Sequence, residues 1–215
     1  MLNYQIIPVT PFRQNCTVFW DAETKQGAIS DPGGDLALIE QFIDEQGIVL
    51  EKILCTHGHL DHVGGVAALS AQFNLPIIGP HKDDLFWIEG LPEATKMFDW
   101  PPVESFEPDQ WLEHGDKIEA ANTFFDVIHC PGHTPGHVVF FQPQDRLALV
   151  GDVLFQGSIG RTDLPRGNHQ DLIESITKRL WPLGSDIRFV PGHGPMSTFG
   201  LERQTNAFVA DNVLS

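Results

Sequence analysis

Positive charge is scarce in this chain of 215 residues. It has 13 lysines and arginines against 29 aspartates and glutamates, and its formal net charge is −16. Proteins that bind nucleic acid neutralise phosphates with clustered Lys and Arg, and no such cluster occurs here. We therefore expect no nucleic-acid partner.

Long apolar runs and cysteines are scarce as well. No stretch reaches the roughly 18 apolar residues of a membrane-spanning helix, and "MLNYQIIPVT" lacks the basic region and cleavage site of a secretory signal. Three cysteines, without a C-x-x-C pair, suit buried reduced thiols better than a disulfide framework. We expect a cytoplasmic protein that makes no membrane contact.

The pattern of apolar residues predicts one domain over residues 1–215, since no linker-like segment divides the chain. Eight β-branched or aromatic runs predict strands. They are "YQIIPV", "CTVFW", "GAIS", "IVLEKILC", "FFDVIHC", "HVVFF", "RLALVG" and "IRFV". Helical segments lie between them, so the class is α/β or α+β with helices covering sheets.

Three segments have helical periodicity. Asp35 is expected to cap "LALIEQFIDEQ", which Gly47 ends, and Asn168 to cap "HQDLIESITKRL". The residues after Asp61 should continue as a third helix. Periodicity is poor in residues 81–115, and one or two short helices are predicted in its first part, "HKDDLFWIEGLPEATKMF".

Potential metal ligands follow four of the predicted strands. His57, His133, Asp152 and His193 each stand just beyond a strand's carboxyl end. That edge is where layered α/β folds build their sites, because loops converge there. We expect these four side chains to meet.

The segment "THGHLDHVGG" is the densest cluster of such ligands, with His57, His59, Asp61 and His62 within six residues. Imidazoles and carboxylates together suit zinc and other divalent transition metals. His57 and His59 can point to one side. Asp61 and His62 can point to another, so the motif can bind two adjacent ions. The further ligands would be His133, Asp152 and His193, and a carboxylate such as Asp152 can bridge two cations.

Other polar residues have supporting or ordinary roles in this interpretation. His137 is expected to lie behind the metal ligands, where it gives a hydrogen-bond partner to a ligand ring or a loop carbonyl. Asp31 either does the same or caps the turn that follows it. The remaining histidines are interpreted as ordinary hydrogen-bonding residues. They are His81, His114, His129 and His169.

The ordered motifs T-H-x-H-x-D-H, a later His, Gly-Asp and Gly-His resemble those of the metallo-β-lactamase superfamily from one end of the chain to the other. The resemblance implies a four-layer αββα sandwich. It assigns His57, His59 and His133 to one metal ion. It assigns Asp61, His62 and His193 to a second ion, and Asp152 to both. Asp61 and Asp152 would be the catalytic carboxylates.

Within that superfamily, "SDPGGD", "HCPGHTPGHVVFF" and "GDVLFQGSIGRTDLPRG" are similar to the glyoxalase II group, most of all to its short bacterial hydroxyacylglutathione hydrolases. Class B β-lactamases usually have Cys or Ser where Asp152 stands. The longer glyoxalase II enzymes hold glutathione with a helical C-terminal domain, a Lys and a Tyr, for which little chain remains after His193. Arg161 and Arg166 are our candidates for gripping glutathione carboxylates, since guanidinium matches carboxylate bidentately.

The resemblance implies hydrolysis of a small glutathione thioester such as S-lactoylglutathione, with hydroxide held between two divalent ions as nucleophile. Zinc is the expected metal, with iron and manganese as alternatives. A rival is a mononuclear iron persulfide dioxygenase, which would use His57, His133 and Asp152. Its usual Pro-Ala-His segment is "PGHGP" here, which favours hydrolysis. A metal-loaded module without catalysis is the third interpretation. The oligomeric state is left open.

Overall fold

Two β-sheets form the centre of the molecule in a computed structural model that describes residues 2–98 and 100–214. The strands of the first sheet are β1 Leu2–Val9, β2 Gln14–Asp21, β3 Gln26–Ser30, β4 Val49–Leu54 and β5 Ile77–Ile78. Those of the second are β6 Lys117–Ala120, β7 Thr123–His129, β8 Val138–Gln142, β9 Leu147–Gly151, β12 Arg188–Pro191 and β13 Ser197–Thr198. A small hairpin joins β10 Leu154–Phe155 to β11 Ser158–Ile159.

The strand directions bring several loops to one edge. In the second sheet, β8 runs antiparallel to both β7 and β9, and β9 is parallel to β12. The carboxyl ends of β7, β9 and β12 therefore share an edge. In the first sheet β1, β2 and β3 are antiparallel neighbours, while β3, β4 and β5 run parallel.

In the described residues, seven α-helices cover the sheets. They are α1 Leu36–Gln46, α2 Leu60–Val63, α3 Val66–Phe73, α4 Leu85–Glu89, α5 Leu91–Met97, α6 His169–Glu174 and α7 Phe199–Thr205. Turns of 3₁₀-helix lie at Lys82–Asp84 and Trp181–Leu183, and Ser175–Leu180 is π-helical. The short helices predicted within residues 81–115 are thereby confirmed.

Among the residues that the structure describes, three apolar cores hold the layers together. The middle core lies between the sheets, where Phe19 of β2 packs on Phe125 of β7 with ring centroids 5.0 Å apart. One outer core joins the first sheet to helices through residues such as Ile39 and Leu69, and the other joins the second sheet to helices through residues such as Leu172. Sheets buried on both faces explain the nearly continuous apolar runs of the sequence. The predicted αββα sandwich is confirmed.

Two helix predictions need correction. Asp35 does not cap α1 with its side chain, because its backbone is left-handed (φ 49°) and its carboxylate accepts the Thr10 N–H at 2.7 Å instead. The helix after Asp61 is not continuous, since Gly64 and Gly65 separate α2 from α3. Asn168 does cap α6, accepting the Asp171 N–H.

Membrane-spanning helices are not found in the described part of the chain, where every helix is too short or too polar to cross a bilayer.

Candidate metal centre

All seven side chains expected to bind metal converge at the shared strand edge. His57 and His59 follow β4, and Asp61 and His62 lie on α2. The other three come from the second sheet. His133 follows β7, Asp152 follows β9 and His193 follows β12.

Three imidazoles form the first group. His59 Nδ1 lies 3.1 Å from His57 Nε2 and 2.9 Å from His133 Nε2. His57 and His133 are almost completely buried. These three ligand-type nitrogens face a common point, so the group could hold one metal ion.

Asp61, His62 and His193 form a second group that could hold an ion. Asp61 Oδ2 lies 3.1 Å from His193 Nε2 and 3.9 Å from His62 Nε2. This group is open to the cleft, because the His193 side chain keeps 29% of its exposure.

Asp152 lies between the two groups. Its Oδ1 is 3.3 Å from His62 Nε2, and its Oδ2 is 3.5 Å from His133 Nε2 and 3.7 Å from His193 Nε2. One carboxylate thus reaches nitrogens of both groups, which is the arrangement that a bridging ligand requires.

The hydrogen bonds behind the first group show that its nitrogens suit a cation. His133 Nδ1 donates to the Arg161 carbonyl at 2.8 Å, so its Nε2 carries a lone pair when the ring is neutral. Thr56 donates its hydroxyl proton to Asp31, so its oxygen accepts from His57 Nδ1 and leaves His57 Nε2 with a lone pair too. A single proton on His59 Nδ1 cannot be donated to the lone pairs of His57 Nε2 and His133 Nε2 at once. A metal ion could accept the lone pairs of all three nitrogens.

The second group meets the same test. His62 Nδ1 donates to Asp31 Oδ2 at 2.9 Å, and His193 Nδ1 donates to the Phe12 carbonyl at 3.1 Å. Both Nε2 atoms therefore point lone pairs at carboxylate oxygens when the rings are neutral. Within residues 2–98 and 100–214, the buried His62 Nε2 and Asp152 Oδ1 also lack a hydrogen-bond partner. Such atoms need a cation or extra protons.

Burial sets the charge states of the first group. It lowers the pKa of His57 and His133, and it lowers the pKa of His59 to about 3. Burial of Asp152 opposes its ionisation, but His62 and His133 outweigh this effect and hold the pKa of Asp152 low. The first group therefore presents neutral imidazoles beside an ionised carboxylate, the forms that bind metal. In the second group burial opposes the charged form, but Asp152 and Asp61 outweigh it and raise the pKa of His62 and His193. An ion that binds there would displace protons from these two rings.

The two residues assigned to supporting roles lie directly behind the ligands. Asp31 accepts the backbone N–H of Thr56 at 2.8 Å and its hydroxyl at 2.6 Å, besides the His62 ring. His137 is fully buried, stacks on His57, and accepts the backbone N–H of Asp152 at 3.0 Å. Asp31 thus orients a ring, and His137 fixes the loop that carries Asp152.

Sequence reasoning missed Asp84, which ties two ligand loops together. Its buried carboxylate accepts the Gly58 N–H (2.9 Å) between His57 and His59. It also accepts the Thr134 hydroxyl (2.8 Å) next to His133 and the Gly136 N–H (2.6 Å). Burial raises the pKa of Asp84 to about 6 although these three hydrogen bonds oppose the shift. The only signal in the sequence was an aspartate in a segment without periodicity.

Gly192, in the second Pro-Gly-His, is required by close approach to the centre. A Cβ on Gly192 would lie 2.0 Å from Asp152 Oδ1 and 2.6 Å from His62 Cε1, distances that no side chain tolerates. The residue before His193 therefore has to be glycine if Asp152 is to keep this position.

The two arginines of the loop after Asp152 lie in different surroundings. Arg161 lines the cleft above the centre, and its guanidinium binds Asp163 through two 2.8 Å hydrogen bonds. Arg166 is placed over the Phe86 ring, 4.0 Å from its centroid. Outside the centre, His81 and His129 stack on each other, and each makes a hydrogen bond of its own. Together with Asp83 they also form a partly exposed group of potential ligands.

Comparison with known proteins agrees with this geometry. Residues 9–193 match the metallo-beta-lactamase superfamily. The hydroxyacylglutathione hydrolase GloC of Haemophilus influenzae is 46% identical over 97% of this chain and 98% of its own length. The structure of TTHA1623 in a di-iron-bound form is 36% identical, with a TM-score of 0.87 over 95% of this chain and all of that one.

A B3 metallo-beta-lactamase, BLEG-1, is also similar in structure. It is 32% identical, with a TM-score of 0.89 over 96% of this chain and 99% of that one. With nearly all of the chain matched in sequence and in fold, the protein belongs to the metallo-β-lactamase superfamily.

Proposed function

We propose that the protein is a metal-dependent hydrolase of glutathione thioesters, with S-lactoylglutathione as the reference substrate. The observation that carries this proposal is the pair of ligand groups with Asp152 between them. The similarity to a hydroxyacylglutathione hydrolase over nearly the full length of both chains supports the choice of substrate.

Two divalent ions fit the residues that converge here. His57, His59 and His133 would hold one, Asp61, His62 and His193 the other, and Asp152 would contact both. Zinc is the ion that we propose, with iron or manganese as alternatives that the same ligands accept. Such ions lower the pKa of water to about 7 and polarise a carbonyl group.

The residues of the chain hold this centre ready for the reaction. The carbonyls of Phe12 and Arg161 and the carboxylate of Asp31 keep the Nδ1 protons of His193, His133 and His62 in place. Each Nε2 therefore stays free for metal. Asp61 and Asp152 are the carboxylates that we assign to catalysis, since both lie at the floor of the cleft.

A thioester is the substrate class that needs least help from the protein. A thiolate, whose conjugate acid has a pKa of about 8.5, can leave without a proton donor, whereas an amide nitrogen cannot. Hydrolysis adds water across the carbonyl–sulfur bond and yields a carboxylic acid and glutathione.

The test is to assay purified, metal-loaded protein on S-lactoylglutathione and on glutathione persulfide side by side, recording metal content and oxygen uptake. We expect release of glutathione from the first substrate with no oxygen consumed. Oxygen uptake with the persulfide and no thioester hydrolysis would establish the dioxygenase instead. Inactivity on both substrates would favour the interpretation as a metal-loaded module without catalysis.

Metal loading gives a prediction independent of activity. Because two of the ligand groups meet at Asp152, we expect close to two tightly bound transition-metal ions per chain after reconstitution, measured by elemental analysis. His193→Ala removes a ligand from the second group alone and should reduce the content to about one. A single ion in the parent protein under excess metal would contradict the binuclear centre.

Arg161 is our candidate for a glutathione carboxylate, with Arg166 as a second candidate farther along the loop. Because Arg161 is exposed and already paired with Asp163, we expect Arg161→Ala to raise KM only about threefold to tenfold, with kcat little changed. Asp163→Asn should lower KM by releasing the guanidinium. On a truncated thioester without the glutathione carboxylates, Arg161→Ala and the parent should behave alike; equal losses on both substrates would refute the role.

The state of the three cysteines bears on the compartment. Cys16, Cys55 and Cys130 are buried and unpaired, and burial raises their thiol pKa values, which suits a reducing compartment. We propose a single-domain cytoplasmic enzyme whose partner is a small molecule.

A further inference from the structure

An apolar cleft of about 640 Å³ opens directly onto the metal centre. Clefts of this size enclose ligands much larger than a lactoyl group. Its walls are mostly aromatic and aliphatic. They include Phe12, Trp87, Leu91, Phe98, Phe155 and Leu164.

Two aromatic side chains of the wall lie directly beside metal-ligand candidates. The ring of Trp87 meets His59 edge to face, with centroids 4.5 Å apart. Phe155 approaches His193 from another side, at 6.3 Å. A thioester whose carbonyl lies at the metal ligands therefore has its nearest substituents against apolar side chains.

Glutathione itself fits these walls poorly. It carries two carboxylates and an ammonium group, whereas Arg161 is the one lysine or arginine among the described residues that line the cleft. That guanidinium is already bound to Asp163. Burying charged groups against apolar walls is unfavourable, so the tripeptide belongs at the mouth and the acyl group belongs inside.

One wall of the cleft carries aromatic side chains that are unusually open to water. Phe12 is 49% exposed and Phe98 56% exposed, and their rings meet edge to face at 6.0 Å. Phe12 also stacks on Trp100 at 5.6 Å. Contiguous exposed apolar side chains beside a cleft are typical of a binding surface, because they gain by being covered.

We propose that the substrates of this site are thioesters whose acyl group carries a large apolar substituent, aromatic or branched aliphatic, and that small polar acyl groups such as lactoyl are poorer substrates. The inference rests on the thioester hydrolase proposed above. It differs from that proposal in assigning the apolar walls to the acyl group.

The experiment compares S-mandeloylglutathione with S-lactoylglutathione on the metal-loaded protein. Both compounds contain glutathione and an α-hydroxyl group. They differ in the substituent on the α-carbon, which is phenyl in mandeloyl and methyl in lactoyl. After division by each compound's rate of hydrolysis by hydroxide, we expect kcat/KM to favour mandeloyl by about tenfold or more. Tenfold corresponds to about 1.4 kcal/mol, less than complete burial of a phenyl group provides.

A matched pair of variants assigns the preference to the wall. Phe98→Gln removes an exposed aromatic from the cleft, and Phe124→Gln removes one of similar exposure (52%) from β7, outside the cleft lining. We expect the mandeloyl-to-lactoyl ratio to fall about threefold or more in the first variant and to stay at the parent value in the second. Partial unfolding or metal loss affects both substrates equally and cancels in the ratio.

Binding gives a readout without turnover. S-benzylglutathione and S-methylglutathione are thioethers that cannot be hydrolysed, and calorimetry should show the benzyl compound binding about tenfold more tightly. Phe98→Gln should reduce that difference, and Phe124→Gln should not.

Failures of the inference and of the proposed function look different. Efficient hydrolysis of S-lactoylglutathione with a ratio near one would overturn the apolar acyl preference and leave the thioester hydrolase standing. A ratio that falls equally in both variants would overturn it as well. Hydrolysis of neither thioester by protein loaded with metal would defeat the proposed function and the inference together.

Discussion

Replacing Asp152 with Asn should lower kcat by at least ~100-fold, the scale of losing a main electrostatic element of an active site. The carboxylate is buried between both ligand groups, with oxygens 3.3 Å from His62 Nε2 and 3.5 Å from His133 Nε2. An amide keeps the shape but removes the charge, and it turns one of these oxygens into an N–H donor. Activity on S-lactoylglutathione and metal content per chain are the measurements.

A surface aspartate provides the matched control for this variant. Asp186 is exposed and pairs with Arg146, so Asp186→Asn should leave kcat and metal content at parent values. We also expect Asp152→Asn to bind less metal, since the carboxylate that it replaces is a proposed ligand of both ions. Near-parent turnover with two ions bound would show that Asp152 does not bridge.

The ligand cluster could be anticipated from the sequence because its signals are local. A strand that ends within a few residues of His or Asp places that side chain near a sheet edge, whatever the order of strands. His57, His133, Asp152 and His193 each had this signal. The meeting of His133, Asp152 and His193 at one edge follows from β7, β9 and β12 running in the same direction, a property of the topology that single runs of sequence do not contain.

Asp84 and the cleft walls could not be anticipated, because they depend on packing between distant segments. Asp83 and Asp84 are adjacent and chemically identical, yet the first is exposed and the second is completely buried. Their difference arises from a 3₁₀ turn that points only Asp84 at the loops around Gly58 and Gly136. Periodicity, which predicts long helices, is uninformative for such a turn.

The cap of α1 shows how a correct helix can be predicted with a wrong start. Asp at this position is favoured because its side chain normally accepts a first-turn N–H from extended backbone. Asp35 instead adopts a left-handed conformation and binds the Thr10 N–H of the loop after β1. The contact across 25 positions of sequence replaced the local one, and Gly47 still ended the helix as predicted.

The loops around Gly58 and Gly136 depend on Asp84, so Asp84→Asn should both destabilise the fold and weaken metal binding. The carboxylate accepts three hydrogen bonds, and an amide can accept at only one of its two terminal atoms. Its NH₂ group would face a buried donor, at a cost of about 1–3 kcal/mol in the free energy of unfolding. Because the loops held by Asp84 carry His57, His59 and His133, we expect metal affinity to fall about 10- to 100-fold.

The neighbouring residue supplies the control for Asp84→Asn. Asp83 has the same side chain at 61% exposure, so Asp83→Asn should change the free energy of unfolding by less than about 0.5 kcal/mol. Asp83 belongs to a separate group of potential ligands with His81 and His129, so its replacement should leave metal affinity at the centre around Asp152 unchanged. Denaturant unfolding of the metal-free proteins gives the first quantity. Chelator competition, well below the midpoint of thermal unfolding, gives the second. A purely structural role for Asp84 would lower the free energy of unfolding and leave metal affinity unchanged. If Asp84→Asn is destabilised but binds metal as tightly as Asp83→Asn does, the hydrogen bonds of Asp84 support the fold and do not position the ligands.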